Sequence, residues 1–91
     1  MLYNVCVEER HNKSGHLRIE YPATVTAYSE QSAGEKFIKR VADSALDGVR
    51  KVSGVAVVLD GLNSYCTVMY QDGSQVDTKI YEVRKCDRIR L

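Results

Sequence analysis

Both histidines of this chain fall in the stretch "HNKSGH", as His11 and His16, five positions apart. Imidazoles at that spacing suggest metal chemistry first. A zinc site needs three or four ligands in tetrahedral reach. Two histidines across a hairpin would start such a site, but no HExxH run is present and no cysteine lies close in sequence. Phosphate chemistry would need a glycine-rich run entering a helix. This run has one glycine and sits between two strand-like segments. The reading is a polar hairpin turn, with Asn12 and Gly15 supplying the unusual backbone angles, whose exposed tip can touch a partner. No metal or cofactor is expected.

Nucleophilic chemistry would rest on Cys6, Cys66 and Cys86. A reactive cysteine needs a lowered pKa and a nearby base. Cys6 and Cys66 fall in strand-like runs, where a free thiol behaves as a small apolar residue. Cys86 stands among Arg84, Lys85 and Arg88, a setting that lowers a thiol pKa. A small thiol-dependent enzyme centred there is one alternative. No GxSxG turn and no motif-placed acidic pair occurs, so a non-enzyme is the expectation.

Binding chemistry has more material. Residues 84–91 carry Arg84, Lys85, Arg88 and Arg90 against Asp87 alone, a local +3 that leaves −2 on the rest of the chain. Lys36, Lys39 and Arg40 lie within about one helical turn. These clusters suit an acidic protein surface or phosphates. The tyrosines number six, with no tryptophan. Tyr65 and Tyr70 are an odd number of residues apart, so they face opposite sides of a regular strand. Regular alternation also places Tyr81 with Val83, and Val76 with Ile80 on the opposite face. The last hairpin therefore shows apolar or aromatic groups on both faces. One face packs under a helix and the other is free for protein contact or homodimerisation; Tyr65, Tyr70 and Tyr81 are the candidate contact residues.

The elements that must carry these residues follow from periodicity. "LYNVCVE" alternates as a first strand. "HLRIEYPATVTAYS" alternates over its length, with Ile19, Tyr21, Ala23, Val25 and Ala27 on one side; Pro22 cannot donate to a ladder and marks an edge or a bulge. "YSEQSAGEKFIKRVADSALDGVRK" repeats apolar residues every three to four positions, from Ala33 through Phe37, Val41 and Ala45 to Val49. Ser32 with Glu35 forms a capping-box candidate, Ser29 is an earlier cap, and Gly48 can end the helix. "SGVAVVLDG" is a short β-branched run that favours a central, buried strand. "DGLN" turns the chain. "SYCTVMYQ" and "QVDTKIYEV" form a hairpin around "QDGS". The tail from residue 84 extends the last strand or stays loose.

The expected fold is therefore α+β: two layers, an antiparallel sheet of about five strands in the order β-β-α-β-β-β, and one helix on one face. One domain spans residues 1–91. The net charge of +1 lacks the basic excess of a dedicated nucleic-acid binder. Three distant cysteines do not make a disulfide scaffold, and "MLYNVCVEERH" does not read as a signal peptide. No run approaches the roughly 18 apolar residues of a membrane span. A reduced, cytoplasmic protein without a membrane partner is expected.

In size, in the strand–strand–helix–strand order from "HLRIEYPATVTAYS" through "GEKFIKRVADSALDG" to "VAVVLDG", and in lacking catalytic motifs, the chain resembles small phage-encoded inhibitors of host machinery, anti-CRISPR proteins among them. The resemblance implies a non-catalytic binder in the host bacterial cytoplasm that occupies a site on a larger protein or protein–nucleic-acid complex. Such inhibitors are often acidic DNA mimics; the charge of this chain points instead to surface blocking. The alternative is a small nucleic-acid-binding accessory protein using the basic helix side and tail.

Overall fold

The sequence alternates at period two on either side of "HNKSGH", and the structure, a computed structural model describing residues 1–20 and 24–86, folds this region as an antiparallel hairpin. Strand β1 (Leu2–His11) pairs with β2 (Gly15–Glu20), His11 standing opposite Gly15 and Arg10 opposite His16. A two-residue strand, β3 (Val25–Thr26), continues along the same edge of β1 opposite Leu2 and Tyr3. Of the long alternating run, Ile19, Val25 and Ala27 turn inward as expected, while Tyr21, Pro22 and Ala23 lie outside the described residues.

Helix α1 (Glu30–Leu46) starts one turn earlier than the capping-box motif suggests. Ser29 is the cap, its Oγ accepting the Ser32 N–H at 3.1 Å, and Ser32 is already helical. Glu35 is used elsewhere: its carboxylate takes the Gly61 N–H at 2.8 Å. Gly34 lets that segment approach, since a Cβ there would meet the Gly61 carbonyl at 3.1 Å. The helix ends at Leu46 with Asp47 as cap, before Gly48. Its stripe is buried at Ala33, Phe37, Ile38 and Ala42, half-buried at Val41 and Ala45, and runs out into solvent at Leu46 and Val49.

After the helix come β4 (Val52–Val58), a 3-10 turn (Gly61–Asn63), β5 (Tyr65–Tyr70) and β6 (Gln75–Lys85). The sheet order is β2-β1-β6-β5-β4, antiparallel throughout, with β3 beside β1. The protein is thus α+β, α1 packing on one face of the sheet, and the second expected strand is divided into β2 and β3.

Two of the sequence expectations are corrected. The β-branched strand β4 is not central: among the described residues it pairs with β5 alone, at the sheet edge, and Ala56, Val57 and Val58 are exposed. Tyr81 does not share a face with Val83. On β1, Cys6 faces Glu82 while the next residue, Val7, faces Ile80, so Tyr81 is the extra residue of a β-bulge. The bulge turns Val83 and Ile80 to the same, helix-covered side.

The core divides into two adjoining clusters. Val5, Val7, Val25, Ala33, Phe37 and Val83 form the larger; Ile38, Ala42, Cys66 and Val68 form the smaller, and Val41 and Ile80 pack against both. Fully burying a side chain of this kind contributes roughly 1.5–3 kcal/mol, and Val5, Val7 and Ile38 are fully inaccessible.

At one end of the sheet the two tight turns are clasped. Asn12 donates to the Gly73 carbonyl (3.1 Å) and accepts from the Gln75 N–H (2.9 Å), and Lys13 reaches the Asp72 carbonyl (3.4 Å). Asn12 keeps ordinary backbone angles; of the "HNKSGH" residues only Gly15 has positive φ, at 100°. Its contribution is its amide rather than its backbone.

Candidate binding face

The face of the sheet away from α1 is covered by no element among the described residues. Strand pairing arranges its side chains in rows that cross the sheet. One row runs Val58, Tyr65, Lys79, Glu8, Arg18, from β4 to β2; the next runs Ala56, Thr67, Asp77, Arg10, His16. Adjacent strands lie about 4.8 Å apart, so Tyr65 to Arg18 spans about 14 Å. The rows flank a groove of about 240 Å³ lined by Glu8, Arg10, His16, Tyr65, Asp77 and Lys79, among others.

The electrostatics alternate. Glu8 Oε2 lies 3.3 Å from Arg18 and 3.9 Å from His16, and its Oε1 lies 3.9 Å from Lys79. Arg18 also stacks on the bulged Tyr81, its guanidinium carbon 3.6 Å from the ring centroid. Tyr65 and Tyr81 are 43% and 49% exposed, large aromatic surfaces held in place by strand pairing and by Arg18. Arg84 adds a cation on the same strand, 3.7 Å from Glu82.

The structure disperses the candidate binding residues. Tyr65 and Tyr81 meet on the open face. Lys36, Lys39 and Arg40 line a separate groove on the helix side, where Asp43 and Asp47 offset their charge and Lys36 donates to the Thr26 carbonyl at 2.7 Å. Tyr70 packs against the smaller core cluster under Arg50, which lies 3.8 Å from its ring centroid and also pairs with Asp72 at 3.1 Å. Lys85 ends β6 opposite Tyr3. Arg88 and Arg90 lie outside the described residues.

Sequence reasoning missed Glu8, Arg10, Arg18, Asp77 and Lys79, and took His16 only as part of a turn. A signal existed for four of these six. Folding the first hairpin with Gly15 opposite His11 sets Arg18 opposite Glu8 and His16 opposite Arg10.

The groups considered for chemistry are held apart. His11 sits beside Glu9 at 3.2 Å and His16 beside Glu8; the two positions have opposite parity on the hairpin and face opposite sides, so the two-ligand start does not form. Among the described residues no cluster of three or more His, Cys, Asp or Glu side chains could hold a metal ion. Cys66 is fully buried, and burial, followed by the charges of Asp77 and Glu9, pushes its thiol up to about 11. Cys86 is half-buried past the end of β6, its N–H donating to the Leu2 carbonyl at 2.8 Å. The histidines stand at the far end of β1, about 30 Å away along a strand of this length, so neither can act as its base.

Among the described residues no helix is long and apolar enough to cross a membrane. No protein-family model matches the chain, and no curated protein or solved structure matches it either.

Proposed function

We propose that this is a non-catalytic binding protein that docks on a larger protein through its open sheet face. The observation that supports the reading is the row Tyr65, Lys79, Glu8, Arg18, with Arg18 stacked on Tyr81, on a face that no described element covers. Tyrosine and arginine are enriched at the energetic centres of protein interfaces: tyrosine buries much area for two rotors, and arginine presents a planar fork of donors that also stacks on aromatic rings. Here strand pairing and stacking have already fixed much of that freedom. The charge pattern favours protein over nucleic acid. Glu8 and Asp77 interrupt Lys79, Arg10 and Arg18, so a phosphate chain crossing the rows would meet a carboxylate at alternate positions, where counterion release demands an unbroken positive track.

The outline resemblance gives the proposal its finer form. The protein would act in a bacterial cytoplasm as a phage-encoded inhibitor of the anti-CRISPR kind, occupying a site on a larger host target without processing it.

Photo-crosslinking residues placed at Tyr65, at Tyr81 and, on the helix side, at Lys39 test this in bacterial lysate with and without nuclease treatment. The expected result is one protein captured from both tyrosine positions, not from Lys39, and lost when Arg18→Glu is added. Capture from Lys39 alone, or capture that disappears with nuclease, would overturn the reading; the latter would favour a nucleic-acid role.

A further inference from the structure

The two edges of the sheet are built differently. Edge β2 carries His16 and Arg18 at alternate positions, a charged pattern that keeps an open edge from pairing. Edge β4 has no such guard. From Val52 to Leu59 there is no charged residue and no proline, and Val57, Val58 and Leu59 are 40%, 38% and 46% exposed. Among the described residues the strand pairs with β5 on one side only, and its outer N–H and C=O groups meet no neighbouring strand.

We infer that β4 is the interface of a two-fold dimer, pairing antiparallel with β4 of a second copy to join two sheets into one. Charge complementarity selects this occupant. The apolar run is bracketed by Lys51 at one end and Asp60 at the other, both exposed. Antiparallel pairing of the run with itself brings the Lys51 end of each copy beside the Asp60 end of its mate, twice per dimer. An isologous contact needs this self-complementarity, and a partner of unrelated sequence would match it only by its own design. The apolar side chains of β4 then flank the same axis on both faces, with Ala56 near it. The inference is independent of the function proposed for the open face, though the join would bring two such faces into one continuous surface.

Sedimentation equilibrium across the micromolar to millimolar range reads the association. Hydrogen exchange at low and high concentration reads the amides of β4. The expected result is a monomer–dimer equilibrium with concentration-dependent protection confined to β4. Ala56 is exposed, so Ala56→Lys leaves the fold intact while setting two ammonium groups face to face, and it should weaken the dimer about tenfold or more. Lys51→Glu should weaken it as well, and Lys51→Glu with Asp60→Lys should restore it. A chain that stays monomeric throughout, a dimer indifferent to Ala56→Lys, a charge swap that fails to restore, or a dimer abolished by Tyr81→Ser instead would each overturn the inference.

Discussion

Replacing Glu8 with Gln asks whether charge holds the cross-sheet row together. The substitution keeps the side-chain shape and removes the charge that Arg18, His16 and Lys79 surround. An exposed ion pair is worth about 0.2–1 kcal/mol. The Arg18 pair, at 3.3 Å with Glu8 only 19% exposed, belongs near the top of that range. The Lys79 pair, at 3.9 Å from an ammonium on a 68% exposed side chain, belongs near the bottom. His16 adds only to the extent that it is protonated. The sum is about 1 kcal/mol, or a fall in Tm of about 4–8 °C for a domain of this size. Thermal and urea unfolding followed by circular dichroism would measure it. In about 1 M salt, where the screening length shrinks to about 3 Å, more than half of the loss should vanish. A double-mutant cycle with Arg18→Met should return a coupling of about 0.8 kcal/mol. No loss at low salt, or an equal loss at both salt levels, would refute the argument that charge organises this face.

Ile38 is fully buried in the smaller core cluster, so Ile38→Ala should cost about 2–5 kcal/mol in urea unfolding and Ile38→Val about 0.5–1.5 kcal/mol. Asp72 accepts from the Ser74 hydroxyl and N–H and pairs with Arg50, and these hold its carboxyl at about 2, below the ordinary 3.8. A lowered folded value stabilises above the unfolded pKa and is lost as pH falls through the folded one; Asp72→Asn should therefore flatten the stability profile between about pH 4 and about pH 2. Cys66 has the opposite sign: its contribution is complete below 9.0 and is lost as pH rises toward about 11, a slope that Cys66→Ala should remove. In the native protein at pH 8, iodoacetamide should reach Cys86 while sparing the fully buried Cys66, as mass spectrometry of labelled peptides would show.

What was legible in the sequence was what local physics decides. "HNKSGH" and "QDGS" sit between alternating runs, and both fold as hairpin turns. The stripe from Ala33 to Ala45 requires a sheet beneath it and finds one. The errors arose where a remote strand decides. A β-branched run such as Val55–Val58 has the same pattern at a sheet centre and at an unguarded edge; only its neighbours distinguish the two. The bulge at Tyr81 comes from pairing with Cys6 and Val7, about 75 positions away, and nothing around Tyr81 announces it. The candidate face divides likewise. Arg18 against Glu8 follows from counting back from one turn, whereas Lys79 and Tyr65 join them only through the long-range pair of β1 and β6.

That central pair sets the order in which the molecule can assemble. The middle of the sheet is made by its first strand and its last, so Val5 has no cross-strand partner on that side until Val83 arrives. Before then the β1–β2 and β4–β5 hairpins are two separate halves with no shared ladder. Closing them requires a loop spanning most of the chain, a contact of high order whose entropy must be met late. Folding should thus be slower than hairpins this short suggest, with its decisive step at the seam. During synthesis the apolar flank of β1, Tyr3 through Val7, waits without its partner strand until β6 has been made.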